Sequence, residues 1–164
     1  MKTEPILLVE DDDNDVTFMR YAWKKAAMPN PLYVVTDGEA AVDYLSGTGA
    51  YADRSACPFP AMVLLDLNLP GRHGFEVLKW LREQEQCRTL LVVVLTASSA
   101  DSDAHRAYAL GANSYVIKPS NPDKLREFLA MLKGYWGTWN YLPAGAAEKS
   151  EFDAPPRGDP IQAL

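Results

Sequence analysis

ILLVEDDD, residues 6–13, decides the fold: four apolar residues in succession, then four acids. An apolar run of that length without polar alternation reads as a strand buried on both faces. Working outward, Leu32–Val35, Met62–Leu65, Leu90–Leu95 and Ser114–Ile117 have the same character. The intervening segments have helical spacing. Val16, Met19, Trp23, Ala26 and Ala27 recur on one face, and Pro29 closes that helix. Asp37-Gly38 reads as a cap before Ala41–Leu45. Phe75, Leu78 and Leu81 line a third helix; Asp101–Leu110 is a fourth, stopped by Gly111. Leu125, Phe128, Leu129, Leu132, Tyr135 and Trp136 form a wide stripe on a fifth. Residues 46–61 read as a polar loop. Strands and helices in strict alternation predict an α/β fold: a doubly wound, five-stranded parallel sheet with five helices covering both faces. Such sheets bind ligands at the carboxyl ends of their strands, at the topological switch point.

The strand ends carry the chemistry. The first ends in Glu10-Asp11, the third in Asp66, the fourth in Thr96 and the fifth in Lys118, followed by Pro119. Three carboxylates at one sheet edge repel one another, and charge alone would raise their pKa values unless a cation is present. A hard divalent ion resolves this, with Mg2+ the expected one. Lys118 adds a positive point charge and Thr96 a hydroxyl donor. That set suits phosphoryl transfer, where catalysis is mostly positioning and charge neutralisation. Taken singly, each residue has a plainer use: an Asp at a strand end often caps a helix, and a lone Lys before Pro is usually a surface lysine. Asp12, Asp13 and Asp15 are assigned mainly to capping the first helix and favouring its dipole. It is the joint occurrence at four separate strand ends that points to a site.

The chain has 164 residues and a formal net charge of −6, a size expected for one domain plus a tail. The acidic balance argues against nucleic acid or anionic lipid as a partner, since both need clustered Lys and Arg. Cys57 and Cys87 lack metal-ligand spacing and read as ordinary thiols in a reducing compartment. No apolar stretch is long enough for a signal peptide or a membrane span, so a cytoplasmic location is expected. His73 and His105 read as surface histidines. From Pro143 the composition turns to Ala, Gly, Pro and charge, and residues 144–164 are expected to be a flexible tail.

Together, ILLVEDD, VLLDLNLPGRHG, VVVLTAS and YVIKP resemble the receiver domains of two-component response regulators, from about Ile6 to Tyr135. The resemblance implies a flavodoxin-like sheet in strand order 2-1-3-4-5, and a receiver domain over residues 1–143 with no output domain. It makes Asp66 the phospho-acceptor. It has Asp11 bind Mg2+ directly and Glu10 bind it through water, with the backbone carbonyl of Asn68 as a further ligand. Thr96 and Lys118 would hold the phosphoryl oxygens, and Tyr115 matches the family's aromatic switch position. Pro70-Gly71 and Gly74 match the loop after the acceptor. AYALGANSYVIKP and YWGTWNYLP are similar to stand-alone regulators partnered with phytochrome kinases, which also carry Glu-Asp as the acidic pair. A sensor histidine kinase, with the phytochrome type a candidate, is then the expected phosphodonor in a two-component phosphorelay.

About thirty residues follow Tyr135, where the resemblance ends, too few for an ordinary output domain. Output is therefore expected through a binding surface or onward transfer. A homodimer through helix four, strand five and helix five is expected, with Leu132, Tyr135, Trp136 and Trp139 on its face and Tyr141 reinforcing it. The protein is expected to be a switch that assists its own phosphotransfer and dephosphorylation, with Asn68 and Ser98 flanking the attack path. Three rivals are weaker. An aspartyl-phosphate phosphatase would need a second Asp as acid/base where Asn68 stands. A receiver that never takes phosphate would not need the complete set of Glu10, Asp11, Asp66, Thr96 and Lys118. A Rossmann-like nucleotide binder would need a glycine-rich loop after the first strand.

Overall fold

The computed structural model describes residues 4–136. Strands β1 (Ile6–Val9), β2 (Leu32–Val35), β3 (Met62–Leu65), β4 (Leu91–Thr96) and β5 (Ser114–Ile117) alternate with helices α1 (Asp13–Lys25), α2 (Gly38–Ser46), α3 (Gly74–Glu83), α4 (Asp101–Ala109) and α5 (Pro122–Gly134). The strands pair in parallel in the order β2-β1-β3-β4-β5. This is the expected class and order.

The two-residue period of a strand divides the apolar runs into two cores. Leu7, Val9, Val63, Leu65, Val92 and Val94 face α2, α3 and α4, where Tyr44, Leu78 and Leu81 close the layer. Ile6, Leu8, Met62, Leu64, Val93 and Leu95 face α1 and α5, against Met19, Trp23, Leu125 and Leu129. A central strand with both faces covered has no use for polar alternation, which is why these runs read as continuous.

Helix ends follow local chemistry. The Asp12 carboxylate caps α1 by accepting from the Asn14 and Asp15 amides at 2.7 and 3.3 Å. Asp37 caps α2 through the Ala40 amide at 2.7 Å. Asn121 caps α5, with Pro122 in its first turn. Helix α1 stops at Lys25, ahead of Pro29, where Ala27 takes a left-handed conformation.

Residues 46–61 differ from the expected plain loop. Gly49–Tyr51 form a 3-10 turn. The Arg54 guanidinium donates to the carbonyls of Tyr44 and Leu45, both at 2.7 Å, satisfying orphan acceptors at the end of α2. A second unanticipated 3-10 turn, Glu85–Cys87, precedes β4. Arg82 ties it to the loop before β5 by donating to Cys87 O at 3.2 Å and Gly111 O at 2.7 Å.

The residues expected on the dimer face differ in exposure. Leu132 is buried at 5% exposure in the α1/α5 core, because on α5 it continues the stripe of Leu125 and Leu129. Tyr135 is exposed, and Trp136 packs partly against the same core. Trp139, Tyr141, the boundary at residue 143 and the segment 144–164 lie outside the described residues. Among those described, no helix is long and apolar enough to cross a membrane.

Candidate functional site

Register brings the strand ends together. Val9 lies opposite Leu65, Leu65 opposite Val94, and Thr96 opposite Ile117. The ladder runs one residue further at each end: Asp66 N–H donates to Val9 O at 3.1 Å, and Lys118 N–H to Thr96 O at 2.7 Å. The next side chains therefore emerge at one edge of the sheet.

Lys118 stands at the centre. Its ammonium lies 2.7 Å from Glu10 Oε2, 2.7 Å from Asp66 Oδ2 and 2.7 Å from Asp15 Oδ2. An ammonium has three donors and no acceptor, so these contacts use all of them. Asp66 is buried; its other oxygen, Oδ1, accepts from the Leu67 amide at 2.6 Å and the Asn68 amide at 3.2 Å. Glu10 is buried too, and its Oε1 accepts from the Asp12 amide at 3.3 Å. Asp11 is exposed at the rim. Carboxylate oxygens of Glu10, Asp11 and Asp66 all lie within 4.8 Å of one another and could hold a metal ion.

Three carboxylates, those of Glu10, Asp15 and Asp66, thus meet one ammonium, and a fourth, that of Asp11, lies close to two of them. The excess of hard, anionic oxygen is the donor chemistry a divalent cation requires. Burial pushes Glu10 above the usual carboxylate range; the hydrogen bond from Lys118 opposes this, and the nearby Asp66 charge adds to it. The expected rise is therefore present at Glu10, but burial outranks charge as its cause. At Lys118 burial works to lower the pKa, and the hydrogen bonds to Asp15, Asp66 and Glu10 outweigh it, leaving the ammonium above an ordinary lysine.

Thr96, Tyr115 and Asn68 are the remaining expected residues. Thr96 is fully buried, and its hydroxyl oxygen accepts from the Ser98 amide at 3.4 Å. Tyr115 is half-buried, and its hydroxyl donates to Ser98 O at 3.0 Å. Tyr115 is thus tethered to the loop that follows Thr96. Asn68 lies exposed in the loop leaving β3.

That loop has a tight geometry. Gly74 donates to Leu67 O at 2.9 Å. A Cβ on Gly74 would strike the Asp66 carbonyl oxygen and lie 2.6 Å from Leu67 Cα. Gly71 takes a left-handed φ of 68°, a conformation that costs a residue with a Cβ.

Two residues play parts that their spacing did not announce. Asp15, assigned to the helix dipole, sends its carboxylate to Lys118. The available signal was the short connection from β1 to α1, which sets a first-turn side chain beside the strand end. His73, read as a surface residue, is the N-cap of α3: its Nδ1 accepts from the Phe75 amide at 3.3 Å, and Glu76 reciprocates on the His73 amide at 3.0 Å.

The sequence matches the model of the response regulator receiver domain over residues 6–130. It is 38% identical to the probable methanogenesis regulatory protein FilR2 of Methanothrix harundinacea, over 86% of this chain and 88% of that protein. It is 34% identical to the response regulator Rcp1 of Synechocystis sp., over 85% of this chain and 92% of Rcp1. The fold superimposes on the Mn2+-bound form of Rcp1 with a TM-score of 0.76 at 33% identity, covering 86% of this chain and 99% of the other. It superimposes on the phosphorylated cyanobacterial phytochrome response regulator RcpA with a TM-score of 0.78 at 32% identity, with the same coverage of 86% and 99%.

Proposed function

The chain belongs to the response regulator receiver domain family, and from that premise we propose that it is a phospho-acceptor switch in which Asp66 takes a phosphoryl group from a histidine kinase. The observation that carries this reading is the position of Lys118, 2.7 Å from both Asp66 and Glu10 beside a three-carboxylate cluster.

Asp66 Oδ1 is held by two backbone amides, which leaves Oδ2 as the attacking oxygen. It attacks the phosphorus of phosphohistidine in line; the P–O bond forms as the P–N bond breaks, and the imidazole leaves. A magnesium ion held by Glu10, Asp11, Asp66 and the Asn68 carbonyl would neutralise charge spreading over the equatorial oxygens. Lys118 exchanges its bond to Asp66 for one to the phosphoryl group, whose charge of about −2 replaces roughly −1 on the carboxylate. Thr96 turns its hydroxyl toward the same group. Asn68 and Ser98 flank the approach of the water that later hydrolyses the acyl phosphate.

The response is a shift in population between two conformers. Thr96, Ser98 and Tyr115 form one hydrogen-bonded chain, so movement at Thr96 reaches β5 and α4. Tyr108 on α4, Ile117 on β5 and Tyr135 at the C-cap of α5 are exposed and largely apolar, and they support a homodimer through this face with Trp136 at its margin. The likeness to RcpA supports a phytochrome-type kinase as the donor, acting in the cytoplasm.

Incubation with radiolabelled acetyl phosphate and Mg2+ tests the assignment. The wild-type protein should be labelled and Asp66→Asn should not; undiminished labelling of the variant would sink it. Light scattering across a concentration series, with and without phosphodonor, tests the dimer, and a constant monomer mass in both would remove it.

A further inference from the structure

We propose that Asp15 is a positioning residue of the phospho-acceptor site: its carboxylate holds the Lys118 ammonium from the α1 side, so that a divalent cation can occupy Glu10 and Asp66 without driving the lysine out. This rests on the reading of Asp66 as the phospho-acceptor and adds a residue to its machinery.

Lys118 has three acceptors, but they are not equivalent. Glu10 and Asp66 belong to the carboxylate cluster that could hold a metal ion; Asp15 does not. A cation entering that cluster competes with the ammonium for the same oxygens and repels it. Two of the three partners of Lys118 are then weakened together. Asp15 is the acceptor that survives.

Its placement suits that part. Asp15 comes from the first turn of α1, a different element from β1 and β3, so the lysine is braced from a third side. The turn is fixed by the Asp12 cap, which takes the Asp15 amide at 3.3 Å. The Asp15 side chain is 41% exposed, whereas Lys118 is 17% exposed. Asp15 is therefore desolvated less than either buried carboxylate, at 3% and 6% side-chain exposure. A dipole role alone would need only a negative charge near the helix start, which the exposed Asp13 already supplies. It would not need an oxygen 2.7 Å from the lysine at the strand end.

The test uses the full chain and two readouts. Calorimetric titration with Mg2+ compares Asp15→Asn with Asp13→Asn, each also in a Lys118→Met background. Asp15→Asn should weaken binding about five-fold more than Asp13→Asn, within the range of a coupled contact pair, and the excess should vanish when Lys118 is Met. The second readout is the 1H–15N signal of the Lys118 ammonium. In the wild-type protein it should persist when Mg2+ is added; in Asp15→Asn it should be lost to solvent exchange on addition. Equal weakening by both Asn variants overturns the proposal, as does an excess that survives in Lys118→Met. So does a wild-type ammonium signal that disappears when Mg2+ binds, a result that needs no variant to fold. If acetyl phosphate fails to label the wild-type protein, the acceptor reading has failed, and that outcome is scored separately from the ammonium signal.

Discussion

Replacing Asp11 with alanine should stabilise the protein in a chelator, yet leave it less stable than wild type in magnesium. Asp11 is exposed, and its oxygens lie within 4.8 Å of oxygens on Glu10 and Asp66. Two unit charges at that distance repel by about 1 kcal/mol in bulk water and about 3.5 kcal/mol at an effective dielectric of 20. Asp11 is at the rim, so the lower figure is nearer for each pair, and Lys118 offsets part of it. Net relief on removing the charge is then about 1–2 kcal/mol. For a domain of this size that raises the melting temperature by about 3–8 °C. Magnesium reverses the order: a ligand at 100 times its Kd adds about 2.7 kcal/mol to the protein that binds it, and the variant has lost a ligand. Thermal melts followed by circular dichroism, in EDTA and in millimolar Mg2+, give both numbers. A variant that melts below wild type in EDTA would refute the repulsion. Equal magnesium-induced shifts in the two proteins would refute the place of Asp11 in the cation site.

Three other outcomes follow from the same geometry. Gly74→Ala should cost about 1–3 kcal/mol in urea melts and slow labelling by acetyl phosphate, because its Cβ meets backbone that cannot swing away; Gly71→Ala, with open space around it, should cost about 1 kcal/mol of left-handed strain and leave labelling unchanged. At pH 8 iodoacetamide should modify Cys57 and spare Cys87, which is buried and whose thiol burial pushes up to about 11; rapid loss of both thiols from folded protein would contradict this. The Lys118 ammonium sits above its ordinary value of 10.5, so its contribution to stability is complete below that pH and is lost as pH rises through the higher folded value, where the native state keeps a proton that the unfolded chain has released. Urea melts from pH 9 to 12 should show that decline setting in above about pH 10 in wild type, and a shallower one in Lys118→Met.

The fold was legible because its signals are local and repeated. Each apolar run is short and uninterrupted, and each is followed by a cap or turn residue. Four of the five strands take the expected bounds; β4 alone shifts, since Leu90 belongs to the turn closed by its own amide on Cys87 O. Glu10, Asp66, Thr96 and Lys118 were legible for a related reason. A parallel sheet places every strand's carboxyl end at one edge, so topology alone assigns residues far apart in the chain to one site.

What stayed hidden shares a different property. Arg54, Arg82 and Asp15 are polar side chains whose partners are set by aim across elements, not by spacing along the chain. Arg54 reaches back to the end of α2, Arg82 crosses to Gly111, and Asp15 crosses to Lys118. Composition treats all three as surface charge. The partly buried Lys118 makes the difference physical: its three donors need three acceptors, because an unpaired ammonium at 17% exposure would be costly. Strand-end topology supplies two of them, Glu10 and Asp66. Matching donors to acceptors at that lysine calls for a third. The short connection between β1 and α1 leaves the first turn of α1 beside the strand end, and Asp15 is the carboxylate there that meets the demand.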